Sequence, residues 1–168
     1  NAPVDINCHA RVAVEAAMKC QKAIEEKTEE FSKIAGRPLL TRIGLNTGDA
    51  ILGNMGSRQR FDYTMLGDSV NLASRLEGFN KQFGTYLMCS ETTVREASRE
   101  GCPLYFRELA RAVVVGKKEP VVVFEPVERA VFLQRKIFFE SFDRALHLFY
   151  DADFVQAQKI FSELSVQD

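Results

Sequence analysis

The stretch from Phe61 to Glu77, FDYTMLGDSVNLASRLE, constrains the fold most, and the rest of the chain is organised around it. Phe61 to Leu66 reads as a short strand, and a helix begins directly after Gly67-Asp68. Asp68 suits the N-cap, where a carboxylate accepts the free amides of the first turn. Val70, Leu72, Ala73, Leu76 and Phe79 then form an apolar stripe at helical spacing. Asn71 and Arg75 are four apart and share one face, presenting an amide and a guanidinium to the same point. An amide that orients a sugar oxygen beside a fixed cation that neutralises phosphorus is a nucleotide-handling pair. The plainer reading is a second cap and a solvated arginine. Against it, asparagine and serine (Ser74) are poor interior helix formers, so something besides helix stability selects them.

Upstream, His9 to about Ile34 follows a helical period through Val12, Ala13, Ala16, Ala17, Cys20, Ile24 and Phe31. Glu15 and Lys19 make an i,i+4 pair, and Gly36-Arg37-Pro38 stops the helix. Leu39 to Asn46 and Ala50 to Met55 are strand candidates. Five of the ten glycines fall between Gly44 and Gly67, and they read mostly as tight turns of a crossed hairpin. Neither a Walker nor a Rossmann phosphate loop is present. Ser57 to Arg60 is a polar hairpin tip.

After Gly84, Tyr86 to Cys89 reads as a strand, and Ser90 starts a short helix through Ala97. Leu104 to Val115 and Val121 to Val127 form a hairpin, for which Val113-Val114-Val115 argues strongly. Helices and strands alternate while several strand pairs are joined by short turns, which predicts an α+β sandwich with prominent antiparallel pairing. Beyond Arg129 only helix is expected. Phe138, Phe142, Ala145, Leu146 and Phe149 make one apolar face, and Phe154, Ala157, Ile160, Phe161 and Leu164 make another. The small-large interlock resembles a tetratricopeptide unit, and an ordinary helical hairpin fits equally. A lone unit of either kind must bury its faces on the main domain, on another copy or on further repeats. The predicted division is 1–128 and 129–168.

A formal net charge of −1 over 168 residues gives no footprint for nucleic acid. No stretch has the length of a membrane span, and no signal-peptide pattern occurs. Cys8, Cys20, Cys89 and Cys102 fit neither a zinc spacing nor a disulfide framework, which points to free thiols in a reducing, cytoplasmic setting. His9 and His147 read as structural. The opening at Asn1-Ala2-Pro3 and the stop at Gln167-Asp168 suggest an excised piece.

The run GLNTGDAILGNMGSRQRFDYTMLGDSVNLASRLEGFNKQFGTYLMCSETT closely resembles class III nucleotidyl cyclases, the adenylate and guanylate cyclase catalytic domain. The resemblance extends from about Asn1 through Gly116-Lys117-Lys118-Glu119-Pro120. It implies a ferredoxin-like cyclase-type sandwich whose N-terminal strands are missing, followed by the helical hairpin. It also implies conversion of ATP into 3′,5′-cyclic AMP and pyrophosphate. In that reaction the 3′ hydroxyl attacks its own α-phosphate between two divalent ions, Mg²⁺ or Mn²⁺. By motif position Asn71 resembles the ribose-orienting residue and Arg75 the one that stabilises pentacoordinate phosphorus. Thr64 sits where the family reads the purine.

Two departures qualify the resemblance. The family's metal aspartates, and a purine-pairing lysine, belong upstream of this chain's first helix, and Asp49, Asp62 and Asp68 do not replace them. Where the family often has Val-Lys-Gly-Lys, this chain has Val114-Val115-Gly116-Lys117, which leaves Lys117 or Lys118 as the phosphate contact against a solvated reading. The expectation is therefore a parent adenylate cyclase acting as a head-to-tail homodimer, with the 168 residues alone inactive. A guanylate cyclase, a catalytically silent cyclase-like interaction module and an unrelated α+β ligand-binding domain are the alternatives.

Overall fold

The computed structural model describes residues 4–56, 61–113 and 120–166. In chain order the elements are α1 (His9–Glu26), α2 (Thr28–Ala35), β1 (Ile43–Leu45), β2 (Ile51–Gly56) and β3 (Phe61–Leu66). They continue as α3 (Asp68–Phe83), β4 (Leu87–Ser90), α4 (Glu91–Arg99), β5 (Tyr105–Ala112), β6 (Val121–Val127), α5 (Arg129–Gln134), α6 (Lys136–Tyr150) and α7 (Phe154–Leu164). The fold is the mixed α+β kind read from the sequence.

Four strands form one sheet in the order β1-β4-β6-β5. β1 runs parallel to β4, whereas β4–β6 and β5–β6 are antiparallel. Successive strand residues point to opposite faces, and β4 shows where each layer sits. Met88 packs with Leu72 and Leu76 of α3, together with Leu109 and Val123. Its neighbour Cys89 faces the other way, onto Ala10 and Val14 of α1 and Ala97 of α4. α3 thus covers one face, and α1 with α4 covers the other. β2 and β3 stand apart as an antiparallel ribbon, with Ile51 opposite Leu66 and Gly53 opposite Thr64.

Several boundaries differ from the sequence reading. The first helix breaks at Lys27, where the Thr28 hydroxyl and the Lys27 amide both donate to the Ile24 carbonyl at 3.2 Å. A side-chain hydroxyl competing for a helix carbonyl is a known source of such bends. Glu15 pairs with Arg11, at 3.8 Å, in place of the expected Lys19. The strand predicted from Leu39 shrinks to three residues, and Leu39 and Leu40 are exposed. β5 ends at Ala112 with an irregularity between Glu108 and Ala110; Val113 is exposed, and Val114-Val115 lie outside the described residues. A further break at Arg135 separates α5 from α6.

The C-terminal helices pack onto the sheet through β5. Val127, Phe138, Phe139 and Leu164 are buried together, flanked by Tyr105 and Phe132. Tyr105 stacks on Phe132 at 4.1 Å and donates to Asp143 Oδ2 at 2.7 Å. Tyr150 donates to Glu108 Oε1 at 2.9 Å. Between them Arg107, only 6% exposed, pairs with Glu125 at 2.7 Å, and its guanidinium lies 5.0 Å from the Phe142 ring. Within this chain the tail thus rests partly on the main domain, while Phe149 and Phe154 stay exposed. The break between α6 and α7 falls at Asp151-Ala152-Asp153; Asp153 caps α7 by accepting the Gln156 amide at 3.2 Å.

Candidate functional site

The site grows from the way β1 and its following loop grip α3. Gly44 in β1 comes so close to the helix that an added β-carbon would overlap the Ala73 carbonyl and the Glu77 amide. Three residues beyond β1, Gly48 lies against the Ser69 hydroxyl, where a β-carbon would overlap it. Gly67, at φ +148°, turns the chain from β3 into the helix beside the Asp49 carbonyl. At the far end Asn80, fully buried, donates through Nδ2 to Ile43 O at 3.0 Å and accepts from Thr85 Oγ1 at 2.8 Å. The helix is therefore fixed along its length by groups that leave no slack.

Between these grips lie the predicted residues. Asn71 is exposed and Arg75 half-buried, one turn apart on α3. Among the described residues neither side chain makes a hydrogen bond or ion pair. The structure does bring Asn71 and Arg75 to one face. Asp68 is not the cap: Gly67 holds that place and Asp68 is the first helical residue, where its charge still meets the positive end of the helix dipole.

Thr64 is exposed on β3, three residues before Gly67. Its cross-strand partner Gly53 has no side chain, and a β-carbon there would meet nothing within 4 Å. Lys117, Lys118, Arg58 and Arg60 lie outside the described residues. Among the described residues no group of three or more His, Cys, Asp or Glu side chains gathers to hold a metal ion. The surface carrying Thr64, Asn71 and Arg75 is built from exposed or half-buried side chains. It lies in the open; a cavity of 810 Å³ occurs elsewhere, among α5, α6 and α7.

The family described as the adenylate and guanylate cyclase catalytic domain matches residues 2–124. The chain belongs to that family. It is 38% identical over 131 residues to adenylate cyclase 1 of Rhizobium meliloti (strain 1021), an alignment spanning 76% of this chain and 19% of that protein. The chain thus spans about a fifth of that relative's length. Among solved structures, the guanylyl cyclase Cya2 superposes with a TM-score of 0.66 at 29% identity, over 76% of this chain and 62% of the other. The adenylyl cyclase CyaB from P. aeruginosa superposes with a TM-score of 0.65 at 26% identity, over 76% and 64%.

For this cyclase-family chain, sequence reasoning found the Asn71 and Arg75 pair and missed what fixes it. Asn46, Gly44, Gly48 and Asn80 went unremarked or were read as turn residues. A signal existed for Asn80: it falls at i+4 from Leu76 and i+8 from Leu72, a polar residue on the buried stripe. Gly44 offered none, because a strand glycine serving a close approach looks like one serving a turn.

Proposed function

We propose that this chain supplies the purine, ribose and transition-state half of an adenylate cyclase site. The reaction joins the ATP 3′ oxygen to the α-phosphorus, breaks the bond from that phosphorus to the bridging oxygen, and releases pyrophosphate and the hydroxyl proton. Asn71 holds the ribose so that the 3′ oxygen lies in line with the phosphorus. Arg75 balances the charge that builds on the pentacoordinate centre. Thr64 reads adenine through a hydroxyl that both donates and accepts. Lys117 is the proposed contact to the terminal phosphates. The observation carrying this reading is that Asn71 and Arg75, one turn apart on a helix held at both ends, have no side-chain hydrogen bond or ion pair among the described residues.

The carboxylates that would hold the family's Mg²⁺ or Mn²⁺ pair are proposed, on the family resemblance, to lie outside these 168 residues. The isolated 168 residues are accordingly proposed to be inactive. Completion of the site by a second subunit is supported by the β2–β3 ribbon, which leaves Ile51 71% and Tyr63 63% exposed beside exposed Met65 and Leu66. Such apolar strands favour association, and light scattering at tens of micromolar should give a homodimer. No helix among the described residues is long and apolar enough to cross a membrane, and a cytoplasmic setting is proposed.

Likeness to the guanylyl cyclase Cya2 supports a second reading in which the base is guanine. Turnover of ATP and GTP by the intact protein decides between them. Cyclic AMP in large excess is expected; equal or greater cyclic GMP would reverse the assignment, and neither product would favour a silent interaction module.

A further inference from the structure

We propose that Asn46, which immediately follows β1, is a positioning residue that sets the first turn of α3 and so the aim of Asn71 and Arg75. Its Nδ2 donates to the Ser69 carbonyl at 3.0 Å, two residues before Asn71. Its Oδ1 accepts from Ser90 Oγ at 2.7 Å and from Thr92 Oγ1 at 3.1 Å. The amide orientation follows from chemistry, because a carbonyl oxygen cannot donate and must face the NH₂.

The far side of this bridge is itself fixed. Ser90, 1% exposed, caps α4 by accepting the Thr93 amide at 3.3 Å. Thr93 Oγ1 donates back to Leu45 O at 3.3 Å and accepts from Thr47 Oγ1 at 3.1 Å. One side chain therefore links the start of α4, on one face of the sheet, to the start of α3, on the other. Gly48, lying against Ser69, keeps the loop close enough for the link. Ser69 is not itself a contact to nucleotide in this reading; its carbonyl is the point through which Asn46 acts.

This inference rests on the roles proposed for Asn71 and Arg75, and the test separates the two. In the intact protein, Asn46→Asp keeps an acceptor for Ser90 and Thr92 but turns an oxygen toward the Ser69 carbonyl. Asn46→Ser removes the reach to Ser69 without adding charge. Each should lower kcat by about 10–100-fold, the scale of a small misplacement of reacting groups, with KM for nucleotide within about threefold. In an Asn71→Ala background the same changes should cost less than they do alone, because one of their two targets is gone.

In the 168-residue chain, Asn46→Ser should speed amide exchange at Leu72 and Ala73 by about tenfold and leave α6 unchanged. Unchanged kcat, undiminished loss in the Asn71→Ala background, or unchanged exchange would each overturn the role of Asn46. Full activity in Asn71→Ala and Arg75→Ala would instead overturn the proposed site.

Discussion

Gly44 and Ala73 meet backbone to backbone: the β1 glycine lies where any β-carbon would overlap the Ala73 carbonyl. The approach brings the helix that carries Asn71 and Arg75 down onto the sheet. Gly44→Ala must push the helix away or distort the strand, and forcing extra atoms into such a contact costs about 1–3 kcal/mol. Denaturant unfolding checks this against Gly53→Ala, where nothing lies within 4 Å and the change should be about 0.5 kcal/mol or less. Equal effects at the two glycines would contradict the close-packing account.

Asn80 is the second grip. Its amide donates to Ile43 O and to Leu76 O, both at 3.0 Å, while its carbonyl accepts the Thr85 hydroxyl. Asn80→Leu keeps the branched shape but leaves the Thr85 hydroxyl and the Ile43 carbonyl without these partners. A loss of about 1–3 kcal/mol is expected, the scale for an orphaned buried polar group. Thermal unfolding measures it, and a more stable Leu variant would show that the amide network contributes nothing net.

Tyr105 and Tyr150 tie α6 to β5, and burial with a carboxylate acceptor, Asp143 or Glu108, raises both phenols well above their ordinary range. The folded state therefore holds these protons more tightly than the unfolded chain, which releases them near about pH 10. Their contribution is complete below that pH and is lost as pH rises toward the folded-state values. Cys89, pushed up to about 12 by burial, adds to the same alkaline limb from about pH 9. Urea midpoints measured across the alkaline range should fall with pH. The combined variant Tyr105→Phe, Tyr150→Phe should fall less steeply, because Phe has no proton to lose. Identical slopes would show that these phenols do not govern the alkaline limb.

Strand and helix types were legible wherever period and composition agreed. β3 and β6 match their predicted spans, and α3 needs only the transfer of the cap from Asp68 to Gly67. Asn71 and Arg75 were legible because helical spacing fixes which residues share a face. What the sequence did not disclose is reciprocal geometry. Gly44 matters because of Ala73, Asn46 because of Ser69 and Ser90, and Arg107 because of Glu125 and the rings of α6. Each partner is distant in the chain, and no local pattern marks the pairing. The tail shows the same limit: its two apolar faces were readable, but the surface they cover, β5, was not.

Asn71 and Arg75 are proposed to act together on the sugar and the reacting phosphorus of a purine triphosphate. Cyclic nucleotide formation by the intact protein, compared with Asn71→Ala, Arg75→Ala and the double variant, tests it most directly. Each single change should lower kcat by about 10²–10³-fold, as removal of a transition-state contact does. The double variant should lose less than the product of the two, because both residues serve one transition state. A double variant that makes cyclic nucleotide at the unaltered rate would contradict the account.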